Sequence, residues 1–120
     1  MIFINSKLNI ADNLGARVGK CIKLSKKTKT GIIGNLILVS AINTVFKKRI
    51  KKGELLLAII TRTRKNYKRN FGNIYISFGE NSSVVVDKKN EPNSTRLFGP
   101  IIRDLVIKYK RIVAMAEYVL

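Results

Sequence analysis

The chain has 120 residues, with 24 Lys or Arg against 7 Asp or Glu, and so carries a formal charge of +17. It has no His and one Cys, Cys21, which removes an intramolecular disulfide, a cysteine zinc cluster and the commonest general base together, so neither catalysis nor a cofactor or metal is expected. The longest apolar runs, such as 55–60, fall far short of the roughly 20 residues that cross a bilayer, and no polybasic anchor or basic amphipathic helix appears, so no membrane partner is expected.

Charge this dense opposes compaction, and phosphate, through counterion release, is the partner that relieves it. Residues 1–70 carry 17 basic and 2 acidic side chains, whereas residues 71–120 carry 7 and 5. The first part is expected to face nucleic acid and the second to meet proteins. With 46% hydrophobic residues, a chain of this length can bury about two-thirds of its unfolded surface, which predicts one domain spanning 1–120.

Taken in order, a short apolar lead-in at 8–10 is followed by a polar turn of Asp12, Asn13, Gly15 and Arg17. That turn is either structural or an Asx-type turn presenting Arg17 to phosphate. Strand 17–24 holds Cys21 as a small apolar residue rather than a reactive thiol. A basic loop with Lys26, Lys27 and Lys29 leads to strand 36–42, whose two faces are both apolar, so a cover is expected over it. A second basic loop holds Lys47, Lys48, Arg49, Lys51 and Lys52, and strand 55–63 leads to a third with Arg64, Lys65, Lys68 and Arg69. Phe46, Tyr67 and Phe71 interleave these clusters, as base-stacking rings or as packing on loop stems. Strands 74–78 and 83–87 complete five, a mainly β fold best satisfied by a closed five-stranded β-barrel. A turn through 91–100 is expected to bury Leu97 and Phe98 and to leave Arg96 as a contact residue. After Gly99-Pro100, the spacing of Ile101, Ile102, Leu105 and Val106 predicts a short C-terminal helix with Pro100 in its first turn, which would cover strand 36–42.

The order of motifs is more specific than any one of them. Leu8-Asn9-Ile10-Ala11-Asp12-Asn13, Gly15-Ala16-Arg17, Lys51-Lys52-Gly53-Glu54, Arg62-Thr63, Glu91-Pro92, Thr95-Arg96, Phe98-Gly99-Pro100, Arg103-Asp104-Leu105 and Arg111-Ile112-Val113 resemble the universal large-subunit ribosomal protein 14 family nearly end to end. Leu14, Ser94 and Glu117-Tyr118 depart from its pattern. The resemblance implies a five-stranded barrel with a short helical C-terminal part, bound to large-subunit rRNA and bridging to small-subunit rRNA. The residues expected on large-subunit rRNA are Arg17, Lys26, Lys27, Lys29, Lys51, Lys52, Arg62, Arg64, Lys65, Lys68 and Arg69. Asn43, Thr44, Lys47, Lys48 and Arg49 would form the intersubunit bridge. Thr95, Arg96 and Arg111 would meet protein, either neighbouring ribosomal proteins or a ribosome-silencing factor. Ile, Lys, Asn, Phe and Tyr make up 53 of the 120 residues, and their A/T-rich codons, with no targeting segment evident, suggest an organelle-encoded protein, mitochondrial before plastid or bacterial. A free single-strand-binding barrel using Tyr67 and Phe71 is the rival reading.

Overall fold

The computed structural model describes residues 1–24, 29–45, 49–70 and 72–120. Its centre is a closed barrel of five strands: β1 (Lys7–Ile10), β2 (Ala16–Leu24), β3 (Leu36–Thr44), β4 (Leu55–Arg62) and β7 (Ser82–Val86). Successive neighbours run antiparallel, and the barrel closes where β1 meets β7 in parallel, with Asn9 opposite Ser82 and Ile10 opposite Ser83. The expected lead-in is therefore a full barrel strand. Segment 74–78, expected as the fifth, instead supplies β6 (Tyr75–Ile76), which pairs with β5 (Tyr67–Lys68) in a separate two-stranded ribbon. Parallel closure joins residues more than 70 positions apart, which no local pattern can reveal.

A five-stranded barrel has a narrow interior, and its inward positions are correspondingly small or β-branched. Ile37, Val39 and Ala41 of β3, Cys21 of β2, Ala58 and Ile60 of β4 and Val85 of β7, which stands opposite Ala58, are buried. Gly19 sits where a Cβ would come within 3.1 Å of Ile10 Cδ1 and 3.3 Å of Val39 Cβ, so a side chain there would force these two apart. Register shifts between Ala16 and Val18, Val18 and Gly19, and Cys21 and Lys23 bend β2 around the barrel, as bulges do.

Strand β7 is buried along its whole length. The chain beyond it is tied back to this side by a Val86–Pro92 bridge and an Asp12–Leu97 bridge. Asp12 is the pivot of that junction: its Oδ2 accepts the Val85 N–H at 3.0 Å and its Oδ1 the Leu14 N–H at 3.3 Å. Burial raises the Asp12 carboxyl above its ordinary value, and these two hydrogen bonds oppose the shift.

The C-terminal part departs from expectation in place rather than kind. Pro100–Ile101 form β8, paired in parallel with β9 (Tyr118–Val119), so Pro100 lies in a strand and not in a helical turn. A 3-10 turn covers Arg103–Ile107, and the one α-helix among the described residues, α1, covers Lys110–Met115. This segment packs at one end of the barrel, where the Tyr109 hydroxyl donates to the Gly34 carbonyl at 3.2 Å. It does not seal the outer face of β3, where Leu36 and Leu38 stay half-buried beside Lys23 and Leu57.

Candidate nucleic-acid interface

The disposition of the seven acids decides which cations are available. Glu80 pairs with Arg62 at 2.8 Å, Asp104 with Arg69 at 3.1 Å, Glu117 with Arg96 at 3.3 Å and Glu91 with Arg111 at 2.9 Å. Asp12 is committed to backbone N–H groups as above. Asp87 accepts the Lys89 and Glu91 N–H groups at 2.8 and 3.1 Å, and Glu54 accepts the Lys51 N–H at 3.2 Å. Every ion pair among the described residues uses arginine. The described lysines keep their charge uncompensated by protein.

Of the residues expected on RNA, Arg17, Lys29, Lys51, Lys52, Arg64, Lys65 and Lys68 are exposed. Arg17 stands at a bulge of β2 beside a recess formed with Asn13, Val45 and Phe98. Lys51 and Lys52 cap a tight turn whose Gly53 N–H donates to the Ala41 carbonyl at 2.7 Å, which fixes the turn to β3. Lys29 precedes Gly31, which exchanges backbone hydrogen bonds with Ile2 at 2.6 and 2.8 Å. Lys26, Lys27, Phe46, Lys47, Lys48 and Phe71 lie outside the described residues. The rest of the expected bridge set, exposed Asn43 and Arg49 with half-buried Thr44, sits at the base of the β3–β4 connection.

Two expected RNA contacts are spent inside the protein. Arg62, 6% exposed, donates from Nη1 to the Phe98 carbonyl at 3.1 Å and from Nη2 to Glu80 Oε1 at 2.8 Å and Ser82 Oγ at 2.9 Å. Burial pulls its guanidinium below the ordinary arginine value, and Glu80 pulls it back up. Arg69 donates to Asp104 and, at 2.9 Å, to the Leu120 carbonyl, and so clasps the end of the chain to the β5–β6 ribbon. Tyr67 is half-buried against the core, and burial raises its phenol above the ordinary range. It is a packing ring, which weakens the single-strand-binding alternative.

The three expected protein-contact residues lie along one connected surface. Asn13 Nδ2 donates to Thr95 Oγ1 at 2.8 Å, and the Arg96 guanidinium stacks 5.1 Å from the centroid of Phe98, which is exposed rather than buried as expected. Arg96 and Arg111 each carry an exposed acidic partner, Glu117 and Glu91. Ser94 is buried without a left-handed φ, so the backbone there does not require glycine.

A family model described as ribosomal protein L14p/L23e matches residues 1–120, the whole chain. The chain belongs to this family. It is a structural protein of the large ribosomal subunit, not an enzyme, and its partners are rRNA and ribosomal proteins.

Sequence reasoning missed Lys7, Lys20 and Lys23. All three are exposed on β1 and β2, and Lys7 is the direct cross-strand partner of Lys20. Like charges facing each other across a sheet are destabilising unless something anionic lies over them. The signal was the outward parity of Lys20 against buried Cys21. With 8–10 too short to declare a strand from sequence, nothing local places Lys7 opposite Lys20.

Proposed function

We propose that the exposed lysines and arginines of the barrel hold folded large-subunit rRNA and that all 120 residues act as one unit. In this reading the 43–49 connection reaches small-subunit rRNA as an intersubunit bridge. The surface of Thr95, Arg96 and Arg111 takes protein, a ribosome-silencing factor among the candidates. The observation that carries the RNA contacts is the partition of charge: among the described residues four of the eight arginines bind the protein's own acids and no lysine side chain does, so the lysines, with exposed Arg17 and Arg64, are left for phosphate. The protein surface is supported by its own acids, Glu91 and Glu117, which lower its net charge and suit it to a less anionic partner. The A/T-rich codon usage of the composition favours a mitochondrial ribosome.

The bridge is tested by reversing charge at Lys47, Lys48 and Arg49 to Glu in the intact ribosome. Gradient sedimentation is expected to show large subunits assembled normally and joined subunits reduced several-fold. Normal joining by that variant would remove the bridge assignment.

A further inference from the structure

The turn that precedes β1 is apolar, exposed and rigidly held. Phe3 and Ile4 are 51% and 56% exposed, and Ile22 on the adjacent strand is 40% exposed. The turn is closed by the Phe3 N–H donating to Ser6 Oγ and the Ser6 N–H donating to the Phe3 carbonyl, both at 3.1 Å. It is then pinned to β2, where the Asn5 N–H donates to the Cys21 carbonyl at 2.7 Å and the Cys21 N–H to the Ser6 carbonyl at 2.8 Å. Asn5, with φ at 72°, makes the reversal that brings the turn back onto the strand. Cys21 points into the barrel, so its neighbours Lys20 and Ile22 are the outward residues of β2 at this place.

One register step from this pinned turn lies the Lys7–Lys20 pair, and Lys23 follows Ile22 on the same strand. The turn that carries Phe3 and Ile4, and Ile22 on β2, thus stand next in register or sequence to Lys7, Lys20 and Lys23, which form no ion pair among the described residues. An apolar surface beside uncompensated cations fits a ligand that is flat, apolar on its faces and anionic along its edge. That is the chemistry of an unpaired nucleobase within a phosphodiester strand. We infer that this strip is an RNA seat, in which an unpaired base stacks on Phe3 while its flanking phosphates lie on Lys7 and Lys20. The inference rests on the RNA reading above. It adds a base-stacking contact on the β1–β2 face to the phosphate contacts of the loops. The hydrogen bonds of the turn fix the Phe3 backbone before RNA arrives, so stacking has mainly the rotamer of one ring left to order.

The test is filter binding of the full chain to deproteinised large-subunit rRNA over a range of salt. Phe3→Ala is expected to weaken binding about tenfold at every salt concentration, and Phe3→Tyr to restore it. The double variant Lys7→Gln/Lys20→Gln is expected to make the slope of log affinity against log salt shallower by about 1.4 to 1.8, two phosphate contacts' worth. All three side chains are exposed, and unchanged thermal unfolding would show that the fold is intact. A steep wild-type slope with both variants behaving as wild type would overturn the seat while leaving the RNA reading standing. A flat wild-type slope would bring down the RNA reading itself. Variants that bind bare rRNA normally but lose a neighbouring protein from assembled subunits would assign the strip to an acidic protein instead.

Discussion

The guanidinium of Arg62 ties together three parts of the chain: the end of β4, Glu80 and Ser82 at the start of β7, and the carbonyl of Phe98. Gly99 makes this possible in two ways. Its φ of +81° lies in the left-handed region, and a Cβ built there would collide with Arg62 Nη1. Arg62→Ala would leave the Phe98 carbonyl and the Ser82 hydroxyl without their donor, and is expected to cost about 3 kcal/mol. Gly99→Ala would add a steric conflict with the guanidinium to a backbone cost of about 1–2 kcal/mol. Because the collision disappears once Arg62 is gone, the two losses should not add. Urea unfolding of both single variants and the double variant is expected to show the double less destabilised than the sum of the singles. Simple additivity would mean that the two residues act separately.

Among the elements, β2, β3, β4 and β7 were legible because each is long enough for its apolar positions to declare it. β3 reads as a nearly continuous apolar run, of which the fold buries Ile37, Val39 and Ala41, and β7 is an unbroken buried run. β1 has only four residues, and what makes it a barrel strand is its parallel register with β7. Segment 74–78 has strand composition, yet Ile74 and Tyr75 point to solvent and pair only with the β5 side of the ribbon. Composition reports propensity for a strand and is silent on which sheet receives it. Arg62, inside strand 55–63, is expected on rRNA by resemblance alone, and local pattern could not show that it turns inward. A register shift between Ile60 and Arg62 sets its direction, and periodicity cannot foresee a bulge. Cys21 and the exposed lysines of the 51–54 turn were legible, since a lone thiol within a strand and cations beside a glycine turn need no long-range information.

The C-terminal element depends on a single carboxylate. Asp104, with a side chain only 3% exposed, accepts from Arg69 and from the Asn70 N–H at 3.2 Å, so it joins the 3-10 turn to the ribbon. Arg69 in turn reaches the Leu120 carbonyl, whose own residue donates its N–H to Ile101 at 2.9 Å. Asp104→Ala would remove the buried carboxylate that Arg69 and the Asn70 N–H share, a loss of about 3 kcal/mol felt first in this segment. Amide exchange of Leu120 and Tyr109 is expected to accelerate by tenfold or more while that of Val39 and Ile59 in the barrel stays slow. Equal acceleration throughout would mean that the segment and barrel unfold as one.

At the scale of the whole molecule, the charge is sorted by residue type as well as by position. The +17 of the chain is an excess of lysine over what its acids can neutralise, and four of those acids are bound to arginine. Arginine's planar, multi-donor head suits the protein's internal carboxylates and carbonyls, whereas lysine's flexible point charge adapts to phosphate wherever folded RNA presents it. Both internal arginines, Arg62 and Arg69, fall in the strongly basic first 70 residues, so the exposed charge of that part is more lysine-rich than composition alone indicates. The later part, where Arg96 and Arg111 carry exposed acids, is more nearly neutral, as the protein-facing role proposed for it requires.

The most direct test is lysine footprinting by amine acetylation, read by mass spectrometry on the isolated chain and on native large subunits. The isolated chain is expected to be modified readily at Lys7, Lys20, Lys23, Lys29, Lys51, Lys52, Lys65 and Lys68. Most of these lysines are expected to become strongly protected in the subunit and to be exposed again when the rRNA is digested. Equal modification of the free and ribosome-bound protein at these lysines would contradict the assignment of the lysine surface to RNA.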